Sequence, residues 1–255
     1  MAADLDVLGP LRSSPATSAV LLDFDGTLAP IVERPASARP LAGVTDAIRA
    51  LHGAGYGLAV VSGRPAPFLA EHLPTEIVLV GLYGLERVEG GVLVADPVAA
   101  EWQPVVDGVV ERAVAELGPD VDAEHKGLSL TLHFRRHPER ADAVEAWATD
   151  AAAATGLVRR PAKMSLELHP PVGVDKGTVL DGLLAGRTAA VFIGDDIGDL
   201  PAFDAMDRFA ASGGHAVKVL VRTSETAAEL EGRADLEVEG PDGALALLRS
   251  LSPPR

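Results

Sequence analysis

A doubly wound α/β core with a mainly parallel sheet, carrying a smaller inserted α+β module, is the fold class this sequence predicts. Three observations lead there. Continuous apolar runs end abruptly in polar residues, helical stripes fall between those runs, and a middle segment switches to the alternation of a half-exposed sheet. Continuous apolar runs of four to six residues suit strands buried on both faces of a parallel sheet. Strands alternating with helices then give the doubly wound arrangement.

The first run, Val20-Leu21-Leu22, meets Asp23-Phe24-Asp25-Gly26-Thr27-Leu28. If the strand continues through it, side chains two apart share a face, so Asp23 and Asp25 point the same way at its exposed end. Like charges that close repel, and a divalent cation or a reacting phosphate would account for them. Asp-Gly is equally ordinary turn chemistry, so the motif alone fits either reading. It does not fit an EF-hand loop, whose twelfth position from Asp23 would need Glu and is Arg34.

Next comes a helical stripe of Val44, Ile48 and Leu51, closed by Gly53 and Gly55. The run Gly57 to Val61 leads into Ser62-Gly63-Arg64, and a helix is expected from about Pro65 to Leu73, with proline near its start. Ile77 to Val80 then ends at Gly81-Leu82-Tyr83-Gly84.

From about Trp102 the pattern changes. Val105, Val106, Val109, Val110, Ala113, Val114 and Leu117 form a helical stripe, and Leu128, Leu130, Leu132 and Phe134 then alternate with Ser129, Thr131, His133 and Arg135. A second amphipathic helix is expected over Pro138 to Ala154, followed by Met164, Leu166 and Leu168 alternating with Lys163, Ser165, Glu167 and His169. The segment therefore reads α, β, α, β, with core residues 1–101 and 172–255 on either side of an inserted module at 102–171. Its polar strand faces carry His133 with Arg135 and Lys163 with Glu167. They fit the wet side of an ordinary antiparallel sheet, or a lid over a polyhydroxylated substrate. Lys126 shares the parity of Leu128, which puts it on the apolar face unless Gly127 introduces a bulge.

The core resumes with Lys176-Gly177-Thr178, which opens a helical pattern through Val179, Leu180 and Leu183, and with the run Ala189 to Ile193 ending in Gly194-Asp195-Asp196. Ligands of doubly wound sheets bind at the carboxyl ends of the strands, where Asp23, Asp25, Ser62, Asp195 and Asp196 all fall. Lys176 and its helix-start amides supply positive charge to the same mouth.

Composition narrows the class. With 255 residues, 47% apolar content and a net charge of -15, the chain can bury a large core but has no basic surplus for nucleic acid or anionic membranes. It has no cysteine, so there is neither a disulfide framework nor a thiolate metal site. The first eighteen residues lack a basic stretch followed by a sustained apolar one, and the cytoplasm is the expected location.

Asp23-x-Asp25-Gly26-Thr27, Ser62-Gly63-Arg64, Lys176-Gly177 and Gly194-Asp195-Asp196-x-x-Asp199 resemble the four ordered motifs of the haloacid-dehalogenase-like phosphatases. Within that superfamily the chain resembles the trehalose-6-phosphate phosphatases. That likeness is carried by Gly81-Leu82-Tyr83-Gly84-Leu85-Glu86, Glu124-x-Lys126 before His133-x-Arg135, Lys163-x-x-x-Glu167 with Pro170, and Val174-Asp175-Lys176-Gly177.

The resemblance implies Asp23 as a nucleophile already ionised at neutral pH, forming an aspartyl-phosphate, and Asp25 as acid and base. It implies Mg2+ held by Asp23, the Asp25 backbone carbonyl and Asp195, with Asp196 and Asp199 supporting ligands or waters behind them. Ser62, Gly63 and Lys176 would bind the phosphoryl oxygens. Glu124, Lys126, His133, Arg135, Lys163 and Glu167 would bind the sugar from the inserted cap. The implied partner is a small-molecule sugar phosphate, with no nucleic acid or membrane, in trehalose biosynthesis; a monomer is compatible with this. Sucrose phosphate, a glycosyl-phosphoglycerate and a hexose phosphate remain alternative substrates, and a non-catalytic sugar-phosphate sensor the alternative outside enzymes. The family's last motif carries Thr and Glu where this chain has Gly198 and Leu200.

Overall fold

A computed structural model describes residues 7–32, 34–162, 164–223, 226, 228–230 and 232–252. The chain divides into two compact units, Met1–Val94 with Val174–Arg255, and Ala95–Gly173. The smaller unit thus begins and ends outside the 102–171 expected from the sequence, because a short helix precedes the apolar stripe.

In chain order the larger unit contains α1 (Gly9–Ser13), β1 (Ser18–Leu22), α2 (Val44–Gly53), β2 (Gly57–Val61), α3 (Ala66–His72), β3 (Val78–Gly81), β4 (Glu86–Glu89) and β5 (Val92–Ala95). The smaller unit follows with α4 (Pro97–Ala100), α5 (Gln103–Leu117), β6 (Asp122–His125), β7 (Leu130–His133), α6 (Ala141–Thr155), β8 (Val158–Ala162) and β9 (Ser165–His169). The larger unit resumes with α7 (Lys176–Leu183), β10 (Ala189–Gly194), α8 (Leu200–Ala211), β11 (His215–Arg222), β12 (Leu236–Glu239) and α9 (Gly240–Leu251).

The large sheet has the order β12-β11-β10-β1-β2-β3-β4-β5. Its six strands from β12 to β3 run parallel, and β4 is antiparallel to β3. Successive side chains of β1 go to opposite faces, as the period of two requires. Val20 and Leu22 join Val60, Val191 and Ile193 under α2, α3 and α9, whereas Ala19 and Leu21 join Val61 and Phe192 under α7 and α8. Both faces are therefore covered, which is why the sequence of β1 reads as one unbroken apolar run.

In the smaller unit a four-stranded antiparallel sheet, β6-β7-β9-β8, packs one face on α5 and α6. Leu130, Leu132, Leu166 and Leu168 meet Val106, Val109, Val144 and Ala148 there. The α, β, α, β reading is corrected: each expected strand is one arm of a pair, and β6 and β8 carry too few alternating apolar residues to announce themselves. The expected wet face of β7 is corrected as well, since Ser129 and Thr131 are buried and Arg135 lies in the turn beyond the strand. Lys126 leaves the strand parity before β7 begins. Gly127 takes a left-handed φ of 82°, and the Lys126 N–H donates to the Ser129 carbonyl at 2.9 Å.

Candidate active site

Asp23 follows the last residue of β1, and its N–H still donates to the Ile193 carbonyl of β10 at 2.9 Å. The strand ends there. The chain folds back through Gly26, whose φ of 77° only glycine adopts without strain, and a Cβ at that position would lie 2.0 Å from Asp195 Oδ2. Glycine thus both turns the chain and makes room for a carboxylate from the neighbouring strand end.

The two aspartates that strand parity placed together take different partners. Asp23 is buried, and its Oδ1 accepts from Lys176 Nζ at 2.6 Å. Asp25 is partly exposed, and its carboxylate accepts from Arg64: Nε to Oδ2 at 2.7 Å and Nη2 to Oδ1 at 2.7 Å. Strand β1 stops at Leu22, so the extended backbone on which strand parity rests does not reach the pair.

Lys176 stands in the first turn of α7, directly after the cap. Asp175 Oδ1 accepts the Thr178 N–H at 2.8 Å and Thr178 Oγ1 accepts the Asp175 N–H at 3.0 Å, a capping box that fixes where the helix starts. The same ammonium donates to Asp199 Oδ1 at 2.6 Å. Asp199 Oδ2 accepts the backbone N–H groups of Asp195 at 2.9 Å and Asp196 at 3.2 Å. Asp199 thus holds both the lysine and the backbone of the neighbouring acidic residues. One oxygen from each of Asp23, Asp195 and Asp199 lies within 4.8 Å of the others.

Burial and that concentration of charge shift Asp23, Lys176, Asp195 and Asp196. Burial raises the Asp23 carboxyl well above its ordinary value, Lys176 opposes the rise, and Asp199 and Asp196 add to it. Burial and then the Asp23 charge push Asp195 up to about 10, and burial and Asp199 push Asp196 up to about 6. Burial would lower Lys176, but Asp199, Asp23 and Asp196 outweigh it and hold the ammonium well above the usual lysine range. One lysine does not balance the charge of the buried carboxylates. Asp195 Oδ1 is buried with no hydrogen-bond partner. An orphaned carboxylate oxygen in an all-oxygen acidic cluster fits a hard divalent cation, which would draw these groups back to their ionised forms.

Ser62, just past the end of β2, is buried, and its hydroxyl accepts the Arg64 N–H at 3.2 Å. Gly63 faces the ring of Tyr83, which would lie 2.6 Å from a Cβ there. The Tyr83 N–H donates to the Ser62 carbonyl at 3.0 Å, and its ring lies 6.0 Å from Lys176 Nζ. Arg64, Tyr83 and Glu86 lie within the motifs, but nothing in their spacing marks a role for them. The Ser-Gly-Arg motif was the available signal for Arg64.

In the smaller unit, the face of the sheet opposite α5 and α6 carries a row across four strands, with Glu124 opposite Thr131, Thr131 opposite Glu167 and Glu167 opposite Arg160. His133 Nε2 donates to Glu124 Oε2 at 2.7 Å, and Lys126 Nζ lies 3.9 Å from the same oxygen. Glu167 is buried, accepting from Ser129 Oγ at 2.7 Å and from Arg160 Nη1 at 3.2 Å, two partners the sequence did not mark. Arg135 is half-buried in the turn after β7. Lys163 lies outside the described residues.

Residues 21–241 match the family described as Trehalose-phosphatase. A trehalose-phosphate phosphatase of Mycobacterium avium is 34% identical over 220 residues, covering 81% of this chain and 55% of the relative. The chain spans about half the length of the curated relatives of that name that it matches. A solved trehalose-6-phosphate phosphatase related protein matches with a TM-score of 0.75 at 25% identity, over 92% of this chain and 96% of that one. The C-terminal domain of a Candida albicans trehalose-6-phosphate phosphatase matches in fold, with a TM-score of 0.78 at 21% identity over 98% of this chain and 96% of its own. Among the described residues no helix is long and apolar enough to cross a membrane.

Proposed function

We propose that this chain, which belongs to the trehalose-phosphatase family, hydrolyses trehalose 6-phosphate to trehalose and phosphate in trehalose biosynthesis. One observation supports the reading of the chemistry: Lys176 holds Asp23 at 2.6 Å in a buried cluster with the unpartnered Asp195 oxygen, which suits Asp23 as nucleophile and Asp195 as a metal ligand.

In the first step an Asp23 carboxylate oxygen attacks phosphorus. The bond between phosphorus and the sugar oxygen breaks, its electron pair leaves with the sugar oxygen, and that oxygen takes a proton from Asp25. In the second step water attacks the phosphorus of the aspartyl-phosphate and gives its proton to Asp25. The bond to Asp23 breaks with its electrons returning to the carboxylate, and both aspartates regain their starting states. Lys176 and Ser62, with the backbone at Gly63, bind phosphoryl oxygens and stabilise charge where it gathers. Asp199 orients Lys176 and the amides of Asp195 and Asp196. Mg2+ held by Asp23, Asp195 and the Asp25 carbonyl would supply the positive charge that the cluster lacks.

The sugar is assigned to Glu124, Lys126, His133, Arg135, Lys163 and Glu167 of the smaller unit, whose carboxylates and cations suit hydroxyl groups. The test is phosphate release with magnesium from a panel of trehalose 6-phosphate, sucrose 6-phosphate, glucosyl-phosphoglycerate and glucose 6-phosphate. Trehalose 6-phosphate should have the highest kcat/KM. Turnover no faster than that of glucose 6-phosphate would refute the assignment, and no turnover of any member would favour a sensor.

A further inference from the structure

We infer that Arg64 is a positioning residue for Asp25, fixing the place and orientation of the carboxylate that handles protons in the reaction proposed above. The inference rests on that role for Asp25, and on geometry that no other pair in the larger unit's site repeats among the described residues. The guanidinium engages both Asp25 oxygens in a fork, each at 2.7 Å, the arrangement that a planar guanidinium makes with a carboxylate and an ammonium cannot.

Arg64 is itself held from three sides. Its Nη1 donates to the Pro35 carbonyl at 2.7 Å, and its guanidinium carbon lies 4.9 Å from the centre of the Phe68 ring. Phe68 packs edge-on against Phe24, the residue between the two aspartates, with ring centres 5.8 Å apart. The backbone of Arg64 is pinned as well: its N–H donates to Ser62 Oγ, and its carbonyl accepts the Leu82 N–H at 2.9 Å. Gly81 permits this approach, since a Cβ there would lie 2.7 Å from the Arg64 carbonyl oxygen and 2.2 Å from the Ala66 nitrogen.

Asp25 needs such an anchor. Asp23 is enclosed by the strand ends, whereas 37% of the Asp25 side chain is exposed on a turn, where several rotamers are open to it. A misplacement of about 1 Å in a group that must reach a leaving oxygen can cost roughly 100-fold in rate. Arg64 also ties the motif that carries Asp25 to the motif that carries Ser62: its guanidinium holds the proton carrier and its backbone N–H donates to the Ser62 hydroxyl.

The test compares two phosphate esters in single turnovers of the magnesium-loaded protein: trehalose 6-phosphate, whose leaving oxygen needs a proton, and p-nitrophenyl phosphate, whose leaving group does not. Arg64→Gln should slow phosphoryl transfer from the sugar phosphate by roughly 100-fold, with KM little changed, and slow transfer from the aryl phosphate by less than about 5-fold. Arg64→Lys should behave alike, because charge without the fork does not hold both oxygens. It also carries the test should Arg64→Gln fail to fold. In an Asp25→Asn background the Arg64 substitution should add almost no further loss. Equal losses on the two esters, a raised KM with intact kcat, or losses additive with Asp25→Asn would overturn the inference. Any alkyl phosphate the unaltered protein turns over can replace trehalose 6-phosphate, so failure on that sugar would strike the proposed substrate and leave the Arg64 comparison standing.

Discussion

The acidic cluster of the larger unit and the polar sheet face of the smaller one use the same kinds of side chain under opposite conditions. Asp23, Lys176, Asp195 and Asp199 are 5%, 3%, 3% and 0% exposed, and Lys176 ties Asp23 to Asp199. Glu124, His133 and Lys126 keep 28%, 22% and 11% of their side chains exposed, with Glu124 2.7 Å from His133 and 3.9 Å from Lys126. Burial makes charge interactions strong and directional, which suits groups that must stabilise a fixed transition state. Partial exposure leaves hydrogen bonds that can be exchanged for those of a ligand. The proposed function places most of the chemistry in the enclosed cluster and sugar recognition on the polar sheet face.

Substitutions in the two regions should therefore differ in kind. Asp23→Asn should show the largest effect, a loss of turnover of at least about 10⁴-fold on every phosphate ester, with the circular dichroism of the unaltered protein. Next, Lys176→Met leaves Asp23 and Asp199 buried without their cation. It should cost about 3–5 kcal/mol in denaturant unfolding, against less than about 1 kcal/mol for Lys126→Met. Similar costs at the two lysines would break the comparison.

Magnesium sharpens it further. At about 100 times its Kd the ion should stabilise the unaltered protein by about 2.7 kcal/mol, and Asp195→Asn should abolish that gain. Glu124→Gln should raise KM for trehalose 6-phosphate about 10-fold, the worth of one charge-assisted hydrogen bond, and leave p-nitrophenyl phosphate unaffected.

The smallest effect concerns Glu86, which sits in β4 away from the acidic cluster. Burial raises its carboxyl above 4.5, with the Ala66 N–H at 2.6 Å opposing the rise. A raised folded value means that the group's contribution to stability is fully present below its ordinary range and lost as pH rises through the folded value. Glu86→Gln stays neutral throughout, so its Tm should exceed that of the unaltered protein at pH 7, and the gap should close by about pH 4.

What the sequence made legible follows from burial. Strands β1, β2, β3 and β10 are covered on both faces and read as unbroken apolar runs, so the parallel sheet and the polar residues at its carboxyl end could be placed. Strands β6 and β8 could not: Asp122-Ala123-Glu124-His125 and Val158-Arg159-Arg160-Pro161-Ala162 lie at the edges of their sheet and carry no apolar alternation. The different partners of Asp23 and Asp25 were hidden because strand parity lapses where the backbone turns at Gly26. Arg64 lies 39 residues from Asp25, and local periodicity gives no sign of a contact made across two strand ends.

The most direct test of Asp23 as the phosphoryl acceptor is chemical trapping. The protein is mixed with magnesium and trehalose 6-phosphate, quenched within a turnover, and treated with borohydride, which reduces an aspartyl-phosphate to homoserine; the peptide spanning β1 is then sequenced by mass spectrometry. Homoserine at position 23, absent from the Asp23→Asn protein, is the expected result. Continued phosphate release with no modification at position 23, or homoserine at another aspartate, would contradict it.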